Sequence, residues 1–426
     1  MKNVFIFSLL LFTVIDSETL VFPPYGHSYG IRKAKPAHLF MLLGPRTFFD
    51  DPQGLATTRL ESWEDTTTKK DDDEVVVYGV NSGRHQIIYN TSMWTLGIYG
   101  EKGEGDGQFC SPRGIAADPK GNVFVADSGN NRVVHLFNPG KAIRWEKSFR
   151  GELSTDKGLK GPSRISIDES GNVYVNDPGN NRIIVFTKDG EILKKIPGDN
   201  EYSFVKGPTA LVVADGTSRW SHFKKERVIF CADLNGTRLW KIDLKGNLIK
   251  TTSLPEKYQA CYAEIDYYHN IWLTDTYNHC VLKYDHNLQL LDVFGSYGTG
   301  DNQFVEPRGI AIYKRFGQVF IAEKKGAQYY WIGTDLKSFD LSKKRTGKYT
   351  LTVNATEFSF VTLFSVSGTD TSFLLKKRMV SPGGYRIPVF QIESGRVTQN
   401  QLNLKIEPTY SSYTYNAWFF PVSIIE

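Results

Sequence analysis

Methionine is scarce in this chain, 4 among 426 residues, and no long run of alanine, glutamate, lysine and leucine occurs. The 22 tyrosines, 27 phenylalanines and 8 tryptophans instead favour strands over helices. Beyond residue 20 there is no run of 18 apolar residues, which excludes a polytopic membrane protein and leaves no transmembrane segment to expect. Glycine (38) and proline (18) are near average use, so collagen-like and proline-rich fibres are excluded. Neither sign of charge dominates: 51 basic against 46 acidic residues leave a net +5, too mild to imply a nucleic-acid partner. A hydrophobic share of 40% is enough for buried cores and excludes a wholly disordered chain.

Residues 1–17 read as an export signal: Lys2, then an apolar or small run from Val4 to Ile15, then Ser17 where cleavage could occur. Twelve residues are too few for a stable anchor. No cysteine follows directly, so lipid attachment is not expected. The mature chain is therefore expected to be secreted, periplasmic or at the cell surface, where disulfides persist.

Self-comparison gives the strongest signal. PRGIAADPKGNVFVADSGNNRVVHLF (112–137) aligns without a gap with PSRISIDESGNVYVNDPGNNRIIVF (162–186). Looser copies begin at Pro45, Pro208, Ala260 and Pro307. Within each, short alternating runs are separated by turn residues such as Pro119 to Asn122 and Ser128 to Asn131, giving four antiparallel strands per copy. Such units cannot bury both faces alone. Arranged radially, each packs on its neighbours and only short edges remain, so the reading is all-β, a six-bladed β-propeller over 45–345. Within the segment 18–44, His38–Leu43 is expected to be the ring-closing outer strand of the last blade.

The linkers GEKGEGDGQF (100–109) and GSYGTGDNQF (295–304) each precede a Pro-Arg-Gly-Ile start, and with VFVADSGNNRV they resemble NHL repeats. That resemblance implies a six-bladed propeller and, for function, a binding platform, a sensor or occasionally a lyase. After about residue 346 the repeat is lost. Period-two runs such as KYTLTVNATEFSFVTLFSVSG, with turns at Gly383-Gly384 and Ser394-Gly395, suggest a small β-sandwich over 346–426 that resembles immunoglobulin-like modules.

In such a ring the innermost-strand starts, the ends of the second strands and the starts of the third lie on one face. Asp127 with Arg132, Asp177 with Arg182, and Asp233 with Arg238 are each five residues apart across a tight turn, the pattern of a recurring structural latch. Arg46, Arg113 and Arg308 occupy innermost-strand starts of three contiguous blades and are the candidate ligand-binding residues, since guanidinium forks match carboxylate, sulfate or phosphate. Pairing with nearby carboxylates is the competing structural role.

Cys261 and Cys280 replace the aligned Arg113 and Arg132 in one blade. That joint change is expected to be a disulfide, closing a loop of about 20 residues for about 3 kcal/mol. Cys231 aligns with Val125 and reads as buried, and Cys110 reads as free. No HxxxH or HxH pair, nucleophile-elbow, Walker or kinase pattern occurs, and Glu264 and Glu306 alone are acidic near the starts. No catalytic set, metal or cofactor is expected. The insertions 52–73, with acidic Asp71 to Glu74, and 216–227, with basic Lys224 to Arg227, are expected on the opposite face. The resulting expectation is an exported, monomeric, non-enzymatic protein that binds a partner protein or anionic polysaccharide, the alternative being a channel-site lyase or lactonase.

Overall fold

The computed structural model describes residues 20–21, 33–63, 75–92, 95–151, 158–196, 206–218, 226–233, 235–300, 303–315, 317–332, 336–344, 346–355, 359–367, 370–380, 389–392, 401–408 and 418–422. The export-signal segment lies outside them. The chain divides into two compact units, Tyr25–Trp331 on the one hand and Met1–Pro24 with Ile332–Glu426 on the other.

Among the described residues, the larger unit contains two short parallel pairs and six larger antiparallel sheets, five of them each formed by four strands consecutive in sequence. Their first strands are Pro52–Thr58, Ile115–Ala117, Ile165–Ile167, Leu211–Ala214, Tyr262–Ile265 and Ile310–Tyr313. Each first strand touches that of the next sheet, and the sixth touches the first, so the sheets close a ring. Main-chain bonds join the inner strands at two places, Gly54 N to Arg113 O (2.8 Å) and Gly309 N to Gln53 O (3.1 Å). A Cβ on Gly309 would stand 2.3 Å from Gln53 O, so only glycine permits this approach.

The second strands explain why the ring needs every neighbour. In Asn122–Asp127, Val123 and Val125 pack with Tyr78 and Val80 of the sheet before, while Phe124 and Ala126 pack with Val173 and Val175 of the sheet after. Both faces are buried, so the strand reads as a continuous apolar run. The outermost strand Arg144–Phe149 has one dry face only, and its exposure alternates residue by residue.

The sixth sheet takes its outer strand from the N-terminal segment, but at Lys33–Ala34, which pairs antiparallel with Gly326–Ile332 through Lys33–Gln328 and Ala34–Ala327. His38–Leu43, expected to be that strand, lies instead in an α-helix, Pro36–Leu43. The local reasons are plain. Pro36 sits in the first turn, His38 Nδ1 accepts the Lys35 amide (3.0 Å), no β-branched residue occurs, and Gly44 at φ 91° ends the helix.

The smaller unit contains two antiparallel sheets. One runs Leu336–Lys343, Tyr349–Ala355, Val389–Ile392, and the other Asp370–Val380, Ser359–Ser367, Gln401–Pro408, Trp418–Val422. Both contribute to one apolar cluster that includes Leu341, Leu351, Val353, Val361, Leu363, Leu404 and Ile406. Leu336–Lys343, assigned from sequence to the repeat domain that was to end at 345, pairs with Tyr349–Ala355 and belongs here. Among the described residues no helix is long and apolar enough to cross a membrane.

Candidate functional site: the ring face and its cavity

In the first three sheets the second and third strands are joined by a short 3-10 turn, Ser82–Arg84, Ser128–Asn130 and Pro178–Asn180. Asp127 and Arg132 stand opposite each other across one such hairpin and are both buried. Arg132 Nε donates to Asp127 Oδ2 (2.8 Å), and the rest of the guanidinium donates to the carbonyls of Glu104, Gly105 and Gln108 in the incoming linker. Asp127 Oδ1 accepts the Cys110 amide (2.7 Å). Burial raises the Asp127 pKa, opposed by the Cys110 amide, Asn130 and Arg132. Asp177 repeats this with Arg182 Nε (2.7 Å) and the Lys160 amide (2.7 Å). These four residues fasten a linker to a hairpin and point at no ligand.

The third expected latch is absent. Among the described residues, Asp233 Oδ1 accepts only main-chain amides, those of Thr237 (3.0 Å) and Arg238 (3.4 Å). The turn closes at Gly236, whose amide donates to Asp233 O, and exposed Arg238 lies over the Trp240 ring. Linker fastening nevertheless recurs in the three remaining sheets, through Asn81 to the Asp50 amide, Asp275 to the Gln259 amide and Glu323 to the Val305 amide. A second fastener was not anticipated. The left-handed residues His85, Asn131, Asn181 and His279 each accept, through a side-chain atom, the amide of Ser111, Gly161, Gly207 and Glu306 respectively.

The three arginines do not form one arc. The residue before each start proline is left-handed, at Asp51 (φ 50°), Ser111 (φ 46°) and Glu306 (φ 52°). This aligns Pro52-Gln53-Gly54 with Pro112-Arg113-Gly114 and Pro307-Arg308-Gly309. Gln53 therefore occupies the place assigned to Arg46, which is exposed in the turn after the helix. Arg308 is held in ion pairs with Asp51 and Glu306 and donates to Pro52 O (3.2 Å). Arg113 is exposed, and its side chain has no hydrogen bond or ion pair among the described residues.

Cys261 and Cys280 are free thiols. Cys261 N donates to Thr274 O on one side of the strand Ile271–Asp275, and Cys280 pairs with Asp275 on its other side. Two strand spacings, roughly 9.5 Å, separate such positions, beyond disulfide reach. Burial pushes the Cys280 thiol up to about 12. Cys110 and Cys231 are free as well, Cys231 fully buried. Asp71 to Glu74 and residues 219–225 of the basic insertion lie outside the described residues.

Sequence reasoning passed over the ring's interior. The position after each start holds Gly54, Gly114, Arg164, Ala210, Tyr262 and Gly309, two large residues among four small ones. Arg164 Nε reaches across to Cys261 O (2.9 Å), Tyr262 Oη donates to Gln53 Oε1 (2.6 Å), and the guanidinium lies 3.5 Å from the Tyr262 ring centroid. This stack floors a cavity of about 750 Å³ whose walls are the inner strands and whose mouth is the face opposite Arg113. Glu264 lines the wall two residues beyond Tyr262, at a level where Ala56, Ala116, Ser166 and Val212 line the other sheets. Its Oε1 accepts the Ile265 amide (2.9 Å). Burial raises its pKa to about 7, against the pull of Lys314. Among the described residues no three His, Cys, Asp or Glu side chains gather as a metal site.

Residues 109–136 match the NHL repeat family. Over 45 residues the chain is 47% identical to Protein lin-41 of Caenorhabditis elegans; the match covers 11% of this chain and 4% of that protein, far less than its length. Similar solved structures include a virginiamycin B lyase from Staphylococcus aureus (16% identity, TM-score 0.43, 62% of this chain and 79% of that one). A streptogramin B lyase gives 14% identity and a TM-score of 0.44 over 67% and 95% of the two chains. A gluconolactonase from Xanthomonas campestris gives 11% and 0.46 over 74% and 99%. The chain thus carries an NHL repeat within an all-β, propeller-like fold.

Proposed function

We propose that the chain is an exported, non-enzymatic binding protein. In this reading the ring is a six-bladed NHL propeller, the smaller unit is an immunoglobulin-like module, and the face bearing Arg113 receives a partner protein or an anionic polysaccharide. The amino-terminal run from Val4 to Ile15 behind Lys2 supports export. The observation that carries the binding site is Arg113 itself. It is exposed, and unpaired among the described residues, on a face where Asp127, Arg132, Asp177, Arg182 and Arg308 are all engaged within the protein. Arg113→Glu is expected to abolish binding of an anionic polymer in solution while leaving the melting temperature unchanged. Arg308→Glu is expected to lower the melting temperature, because it sets a carboxylate against Asp51 and Glu306. Binding that survives Arg113→Glu would remove the face from consideration.

A channel-site lyase or lactonase is the second reading. Glu264 favours it, because a carboxyl near neutrality in a cavity is suited to proton transfer. Turnover of a lactone panel that disappears in Glu264→Gln would establish it over the first.

A further inference from the structure

We propose that the central cavity is a binding site for a small organic carboxylate, with Arg164 as its counter-ion. The site is separate from the ring face above, since Arg113 does not line the cavity.

Arg164 is half-buried, and its Nε and Nη1 donate only to the carbonyls of Cys261 and Ser163 (2.9 Å each). No carboxylate among the described residues pairs with it, and Nη2 has no partner there. Burial pushes its pKa down, opposed by Tyr262 and Cys261 and aided by the positive charges of Arg113 and Arg308. The free edge of the fork lies at the cavity, where a carboxylate can take charge-assisted hydrogen bonds from it. The Tyr262 ring under the guanidinium fixes the plane of the fork.

The walls supply further donors. Lys314 lines the same cavity from the sixth sheet. Ser166 Oγ accepts the Val213 amide (3.1 Å), which leaves its own proton to be donated into the cavity. The other charged lining residues balance, Arg59, Lys120, Lys188 and Lys314 against Glu61, Asp118, Asp168 and Glu169, so the sign of the site is set by Arg164 and Glu264. The volume, about 750 Å³, is that of a small-molecule site.

Glu264 decides the pH behaviour. It shares the cavity with Lys314, Tyr262 and Arg164, and as a carboxylate it would repel the ligand. With a pKa of about 7 it is neutral below that pH and can donate a hydrogen bond to the ligand instead. Carboxylate binding therefore takes up a proton at Glu264 and weakens about tenfold between pH 6 and pH 8.

The test titrates the full chain with benzoate, benzamide and benzylamine at both pH values, by calorimetry. Benzoate is expected to bind saturably and about tenfold more tightly at pH 6, and benzamide and benzylamine at least about tenfold more weakly than benzoate. Glu264→Gln should keep benzoate binding and lose its pH dependence. Lys314→Gln should weaken benzoate by about tenfold, and Arg164→Gln should abolish it. Should Arg164→Gln fail to fold, the two wall variants decide alone. No saturable benzoate binding, equal affinity for benzamide, tighter binding of benzylamine, or an unchanged pH slope in Glu264→Gln would each overturn the site.

Discussion

Asp127 and Asp233 occupy matching places in the repeat and do different work. Asp127 neutralises a buried arginine, so Asp127→Ala leaves the Arg132 cation unpaired beneath the surface and is expected to cost about 3–5 kcal/mol. Asp233→Ala removes only acceptors for turn amides, with Arg238 exposed over the Trp240 ring, and is expected to cost about 1 kcal/mol. Chemical denaturation of the two variants side by side checks the contrast, and equal losses would contradict the latch. His85 gives a pH-dependent counterpart. Its Nδ1 must stay unprotonated to accept the Ser111 amide (2.9 Å), and burial, then Lys102, lowers its pKa below the usual 6.5. A folded-state pKa below the unfolded one gives stability that is full above pH 6.5 and is lost as pH falls through the folded value. His85→Asn copies the acceptor already used at Asn131 and Asn181. Its melting temperature is expected to fall less than that of the natural protein on acidification below pH 6.5. Parallel slopes would show that His85 is not the sensitive group.

At the scale of elements, the copies at 112 and 162 were fully legible, because both keep the start proline, the turn asparagines and a gap-free spacing. The first sheet was misaligned because Pro45-Arg46 imitates the start motif, while the true start, Pro52-Gln53-Gly54, lacks the arginine. What distinguishes them is strand pairing: Pro52 stands opposite Asn81 in the first sheet, whereas Pro45 and Arg46 lie in the turn after the helix. His38–Leu43 is apolar enough for a strand, but its helix is decided by Pro36 and by unbranched side chains. The Cys261–Cys280 expectation failed because alignment assigns positions along a blade and not the strand that lies between them. Alkylation of the denatured, unreduced protein is accordingly expected to label all four cysteines. Two labelled cysteines instead would restore the disulfide.

For the molecule as a whole, ring closure makes each sheet depend on both neighbours, and Phe124 packs toward one of them. The Arg164–Tyr262 floor joins sheets whose residues are nearly a hundred positions apart, so local pattern could not reveal it, although the two large residues among four small ones were visible in the repeat. One face of the ring thus presents the exposed Arg113 and the other opens on a cavity. The claim that the Arg113 face does the binding is tested most directly by the salt needed to elute the full chain from immobilised heparin. Arg113→Glu is compared with Arg144→Glu, an equal charge change on an outer strand with Arg144 64% exposed. Phosphate-like or sulfate-bearing polymers follow the same fork chemistry. Elution at markedly lower salt for Arg113→Glu alone is the predicted result; equal shifts in the two variants would mean that net charge, and not this face, holds the polymer.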